Sequence, residues 1–274
     1  MDICAGIVLF NPEIERLKDN INHIEKQVKL LIVVDNGSKN INDIRSLLNN
    51  YNNIQLIENK KNLGIAKALN KILYIAGIYS FDWVLTLDQD SVADKNLIQQ
   101  YAYFINNTKE KNIGCLTCNI SDRNFSIDLP CYGFKEIDYC ITSGSLMHLK
   151  NTLSVGGFDE KMFIDKVDTD ICINLIKHGY KIIRIDFNGL LHEIGHAKQI
   201  NLGFRKWELY NHGSFRRYYM CRNAIYLLKK YHDFYTFKIF AKEIFQFILI
   251  ILFEDNKIEK SMKGIKGFFD GLIS

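Results

Sequence analysis

The stretch Trp83-Val84-Leu85-Thr86-Leu87-Asp88-Gln89-Asp90 decides how the rest of the chain is read. Its first five residues, mostly apolar and with Val84 and Thr86 β-branched, specify a buried strand that ends in two carboxylates one residue apart. In an open α/β sheet, ligands collect beyond the carboxyl ends of the strands. Asp88 and Asp90 would sit at that crevice, where paired oxygens can hold a hard divalent cation. An isolated Asp-x-Asp can also be a solvated turn, so the neighbouring segments have to decide its meaning.

Toward the N-terminus the pattern is regular. Ile3 to Phe10 is a continuous apolar run closed by Asn11-Pro12, a buried strand with proline placed for a helix start. Leu17, Ile21, Ile24 and Val28 recur at helical spacing. Leu30 to Val34 is a second strand, closed by Asp35-Asn36-Gly37-Ser38; a short helix around Ile41 to Leu48 and a third strand at Ile54 to Ile57 follow. Asn62-Leu63-Gly64 then opens a helix reaching Tyr79, and Trp83 begins the fourth strand. Strands alternating with helices of this length specify an α/β fold with a mostly parallel sheet and right-handed crossovers.

Toward the C-terminus the alternation loosens. A helix over Asn96 to Ile105 and a strand at Ile113 to Thr117 precede an irregular stretch, and Tyr139 to Leu149 reads as one strand broken at Ser143-Gly144. Phe163-Ile164-Asp165-Lys166-Val167-Asp168-Thr169-Asp170 leads into a helix through His178, and Ile182 to Ile185 is a short strand. Beyond Leu202 everything reads helical, which divides the chain into a domain over 1–202 and a helical extension over 203–274. Within the extension Ile244 to Phe253 is almost wholly apolar yet too short to span a bilayer. It is expected either to lie in a membrane plane or to pack on the protein.

Composition excludes several classes. With 274 residues, 47% hydrophobic and 24% charged, the chain is neither disordered nor low in complexity. Beyond Ile200, 13 Lys or Arg face 7 Asp or Glu, so the net +4 is carried by the extension and the rest is slightly acidic. A basic extension suits an anionic partner such as phospholipid or a lipid-linked diphosphate, with peripheral contact on an anionic membrane; a nucleic acid is not expected. The seven cysteines are odd in number and scattered, and Met1-Asp2 runs straight into a strand with no leader, so reduced thiols in the cytoplasm are expected. Cys115-Leu116-Thr117-Cys118 has the spacing of half a zinc site, but no second pair matches it, and strand-borne core cysteines are the expectation.

The order of the motifs carries more than any one of them. A strand ending Phe10-Asn11-Pro12, then Val33-Val34-Asp35-Asn36-Gly37-Ser38, Asn62-x-Gly64-x-Ala66, Leu87-Asp88-Gln89-Asp90, Phe163 to Asp170 and His192 resembles the family 2 glycosyltransferases, within them the bacterial rhamnosyltransferase branch. The resemblance extends more weakly to Arg217-Tyr218-Tyr219-x-x-Arg222-Asn223. It implies a GT-A fold, a nucleotide-diphosphate sugar donor (dTDP-L-rhamnose above others), a glycan or lipid-linked glycan acceptor, a divalent cation and inversion at the anomeric carbon. It further implies Asp90 as metal ligand with His192 as an additional one, Mn²⁺ suiting an imidazole better than Mg²⁺. Asp88 would lie nearer the ribose and sugar, Asp35 and Phe10 would meet the base ring, and Asn62 and Gly64 would let the backbone approach the nucleotide. Asp168 takes the family's general-base position at a helix start; Asp165 and Asp170 flank it, and crowded like charges favour proton uptake. Arg217 and Arg222 are candidate phosphate contacts. One departure is Val167, where the family often carries a second acid directly before the base.

Three rival readings remain. His192-Glu193-Ile194-Gly195-His196 spells the H-E-x-x-H of zinc peptidases, which needs both histidines on one helical face, but Gly195 interrupts such a helix. Leu87 to Val92 mimics the aspartyl-phosphate phosphatase loop, which belongs on a first strand rather than a fourth. A non-catalytic nucleotide-sugar-binding scaffold would share the strand-end acids without the base.

Overall fold

The structure, a computed structural model, describes residues 1–122, 133–192, 198–202, 205–209 and 211–273. The chain divides into two compact units, Met1–Lys161 with Val167–Glu193, and Met162–Lys166 with Ile194–Ser274.

In the first unit, strands β1 (Ile3–Leu9), β2 (Leu31–Asp35), β3 (Ile54–Glu58) and β4 (Trp83–Asp88) alternate with helices α1 (Ile14–Ile24), α2 (Ile41–Leu48) and α3 (Ile65–Ile78). β5 (Val92–Ala93), α4 (Leu97–Asn107), β6 (Ile113–Asp122), β7 (Phe134–Glu136), β8 (Ser145–His148), α5 (Leu149–Ser154), α6 (Val167–Lys177) and β9 (Lys181–His192) complete it. The sheet order is β3-β2-β1-β4-β8-β6-β9-β5, with β7 also on β9.

β3, β2, β1 and β4 are all parallel, so their carboxyl ends open on one edge. Every residue of β1 and β2 is buried, which is why both read as unbroken apolar runs. Leu17, Ile21 and Ile24 on α1 are fully buried in the same core. Each such side chain contributes about 1.5–3 kcal/mol. β8 enters antiparallel to both β4 and β6, and β9 is parallel to β6 but antiparallel to β5 and β7.

The C-terminal half departs from the sequence expectation in several places. Only Ser145–His148 of the expected strand over Tyr139 to Leu149 is a strand. Before it, the Ser145 N–H bonds back to Thr142 O at 3.1 Å and Gly144 takes φ 78°, so the chain turns instead of extending. β9 runs twelve residues rather than stopping at Ile185, because its outer part is a one-sided strand whose polar Asp186 and Asn188 hide the periodicity. Cys115 and Cys118 are buried on β6, as core cysteines.

The second unit holds a hairpin of β10 (Lys198–Leu202) and β11 (Arg205–Leu209), then α7 (Ser214–Tyr231), α8 (Phe234–Phe253) and α9 (Lys257–Ile273). β11 corrects the expectation that everything beyond Leu202 is helical. α8 starts on a reciprocal cap in which Asp233 accepts from the Thr236 N–H at 2.9 Å. Phe268 of α9 stands edge-on to Phe247 of α8 at 5.5 Å, and Gly267 and Gly271 let α9 close onto α7, where a Cβ would lie 2.3 Å from Tyr218 O and 2.8 Å from Arg222 O. Among the described residues no helix is long and apolar enough to cross a membrane.

Candidate active site

β4 ends at Asp88, the chain turns, and β5 then pairs with the end of β9, Val92 opposite Leu191. That register brings His192 back to the turn. Asp88, Asp90 and His192 each present one ligand atom, all within 4.8 Å of one another and half-buried. Asp88 Oδ2 and His192 Nε2 are 4.0 Å apart. Among the described residues no other trio of His, Cys, Asp or Glu converges this closely.

A relay of hydroxyls orients this corner. His192 Nδ1 lies 2.8 Å from Ser91 Oγ, Ser91 Oγ lies 2.7 Å from Ser143 Oγ, and Ser143 Oγ accepts the Asp88 N–H at 3.0 Å. With Nδ1–H donated to Ser91, Nε2 keeps its lone pair toward the carboxylates, the tautomer a metal ligand needs. Two carboxylates and an anchored imidazole fit a divalent cation, and manganese better than magnesium. Asn20 of α1 donates to Asp88 O at 2.7 Å, and the Phe10 N–H donates to Gln89 Oε1 at 2.8 Å. Ser91, Ser143 and Asn20 were not signalled by the sequence, since a serine on a backbone N–H leaves no spacing to detect.

Asp168 lies in the first turn of α6. The Tyr139 hydroxyl donates to its Oδ2 at 2.6 Å, and the Thr169 N–H donates to its Oδ1 at 2.8 Å. Burial and the adjacent Asp168 charge push the Tyr139 phenol up, so it stays a protonated donor. Tyr139 and Ser143 belong to one segment between β7 and β8. Four residues span at most about 14 Å, so a single short loop ties the base position to the acid–imidazole corner.

The loops after β2 and β3 are bound to each other. Asp35, 2% exposed, accepts the Gly37 and Ser38 N–H groups at 3.0 and 3.1 Å. Asn36 donates to Asn62 Oδ1 at 2.9 Å and Gly64 O at 3.1 Å while accepting from Asn59 and the Leu63 N–H, both at 3.0 Å. Gly64 caps α3 at φ 88°, ψ 159°, a conformation open to glycine almost alone. Phe10 is 45% exposed just past β1.

The remaining candidates are placed elsewhere. Asp170 is fully buried on α6. Asp165, in the second unit, is ion-paired to Arg216 at 2.9 Å, and burial raises its proton affinity despite that arginine. Arg217 is 3% exposed and donates to buried Glu243 at 3.2 Å, so a phosphate there would compete with that carboxylate. Arg222 lies over the Tyr219 ring at 5.3 Å. Asn223, unmarked by the sequence as a site, gathers the carbonyls of Met162, Ile164 and Asp165, each at 2.8 Å, and so holds a segment in which Phe163, Asp165 and Lys166 all take positive φ. His192 is the last residue of β9, and Glu193 to His196 of the H-E-x-x-H spelling lie outside the described residues.

Residues 4–149 match the sequence model of glycosyl transferase family 2. The chain belongs to that family. This glycosyltransferase is 28% identical to the dTDP-rhamnosyl transferase RfbF of Shigella flexneri, over 99% of its own length and 95% of that protein's. It is similar in structure to S. aureus TarS 1-349 in complex with UDP-GlcNAc, with 15% identity and a TM-score of 0.62 across 99% of this chain and 81% of that one. It is also similar to GalNAc-T7 with UDP, GalNAc and Mn²⁺, with 11% identity and a TM-score of 0.64 across 100% of this chain and 56% of that one. At those identities the two structures show the shared GT-A fold.

A cavity of about 380 Å³ runs along β5 and β9, lined by Asp94, Lys95, Ser121 and Asn188 among others, and includes none of the site carboxylates. The site is therefore defined by convergent side chains at strand ends and not by this cavity.

Proposed function

We propose that this glycosyltransferase moves L-rhamnose from dTDP-L-rhamnose onto a glycan or lipid-linked glycan of the cell surface, with inversion. The convergence of Asp88, Asp90 and His192 at the strand ends carries the reading, together with the rhamnosyl transferase similar over nearly the whole chain. Asp90 and His192 would hold a divalent cation, which supplies charge neutralisation for a departing diphosphate. Asp88, beside them at the end of β4, would face the ribose and sugar. Phe10 offers an exposed ring for a base, and the loops of Asp35, Asn62 and Gly64 form the adjoining backbone surface.

Asp168 takes the proton of the attacking hydroxyl. Each carboxylate oxygen accepts in two directions; the Thr169 N–H and hydroxyl both fall on Oδ1, while Tyr139 takes one direction on Oδ2 and leaves it capacity for that hydroxyl. Tyr139 and Thr169 fix the carboxylate plane, which a general base needs before its proton affinity matters. A single base with no second carboxylate acting as nucleophile suits single displacement.

The test is a thermal-shift panel of dTDP- and UDP-sugars with and without Mn²⁺, followed by product analysis. Stabilisation by dTDP-L-rhamnose that depends on Mn²⁺ is expected. A UDP-hexose or UDP-galactofuranose outperforming it would reassign the donor, and silence toward all of them would remove the proposal.

A further inference from the structure

α9 has two faces. Lys260, Gly264, Gly267 and Gly271 form a buried stripe, and the glycines pack against α7 and Phe247. Ile258, Met262, Ile265, Phe269 and Leu272 form a second stripe at the same helical spacing, and each is between 47% and 76% exposed. α8 repeats the pattern: Phe247, Leu249 and Ile250 are buried while Phe237, Ile244, Ile248 and Ile251 are 39% to 51% exposed. Ile244 to Phe253 thus packs on the protein with one face and leaves the other open. Soluble monomers rarely leave apolar surface on this scale uncovered.

The charges beside these stripes are specific. Lys242 on α8 and Lys257, Lys263 and Lys266 on α9 are exposed and form no ion pair among the described residues. Of the nearby acids, Glu259 accepts from Ser214 at 2.6 Å and Asp270 from Tyr218 at 2.7 Å, and Asp255 is exposed between the two helices, so four exposed lysines face three carboxylates along this edge. An apolar band with a lysine edge is what an in-plane helix presents to an anionic bilayer. A second copy docking through the same face would set lysine rows against each other.

We infer that the exposed faces of α8 and α9 seat this protein on the surface of a bilayer containing anionic phospholipid, with α9 lying in the headgroup plane. This goes beyond the transfer reaction and does not depend on which sugar is moved.

The experiment is flotation of the full chain with phosphatidylcholine vesicles, with and without phosphatidylglycerol. The protein should float with the phosphatidylglycerol vesicles and bind several-fold less to the neutral ones. Phe269→Ser with Ile265→Ser should lower recovery at least tenfold. Lys263→Glu with Lys266→Glu should lower it roughly thirtyfold at low salt, with less loss at high salt. Unchanged melting temperatures and donor-induced thermal shifts would show that these surface variants remain folded and that sugar-nucleotide binding is a separate matter. A wild-type chain that stays unbound with both vesicle types overturns the inference. So does a dimer in sedimentation that Phe269→Ser converts to monomer, because the face would then belong to a second copy.

Discussion

The loops after β2 and β3 and the corner at the end of β4 stand on one edge of the same sheet, yet they treat their polar groups in opposite ways. Asp35 and Asn36 are each 2% exposed and their side chains are engaged by their own chain. Asp88, Asp90 and His192 are half-open, and Asp88 and His192 are held from behind, through Ser91, Ser143 and Asn20. The first region is a frame that fixes backbone shape; the second keeps its charged atoms facing outward by delegating rigidity to neutral neighbours. Removing a group from the second should therefore cost function with little stability, and removing one from the first should cost stability first and donor binding only through the lost loop shape.

The largest effect is expected at Asp90. Asp90→Ala should lower transfer roughly 10³-fold or more, with a melting temperature close to wild type, and chelation of divalent ions should reproduce the loss in the unmodified protein. Asp168→Asn should cost about 10²–10⁴ in kcat while donor-induced thermal shifts persist. If donor binding disappears with the activity, Asp168 belongs to the binding frame instead. Asn36→Ala should destabilise the fold by about 2–4 kcal/mol in denaturant titration, because four bonds, two of them fully buried, are lost together. Ser91→Ala should weaken Mn²⁺ binding about 10–100-fold with only a small change in stability, the signature of a support behind a ligand. Tyr139→Phe is the mildest, roughly tenfold or less in kcat, since Thr169 still holds one oxygen of Asp168.

The same contrast explains what could be read before the structure. β1, β2 and β4 are buried on both faces, so their apolar runs announce them, and β2 and β4 each end at an aspartate that marks the crevice. Asp88, Asp90 and His192 were legible as an ordered set although more than a hundred residues of sequence separate the first from the last. The segment before β8 was not, because Tyr139 to Leu149 is as apolar as a strand and only Gly144 hints at the turn that places Ser143 and Tyr139. β11 was hidden for a related reason: a short hairpin with mixed charge and aromatic content has no strong period of either kind. Arg217 shows the limit of reading charge as surface, since two carboxylates elsewhere in its unit, Glu243 and Glu254, draw it inward.

Asn36 has one more consequence. It precedes a glycine, the sequence context in which an amide is most readily lost to attack by the following backbone nitrogen. Here that nitrogen is already donating to Asp35, and the amide itself is clamped on both its oxygen and its nitrogen. Ageing of the folded chain at this position is thus slowed by the very bonds that shape the loop, and the lesion should accumulate chiefly in molecules that have first come undone.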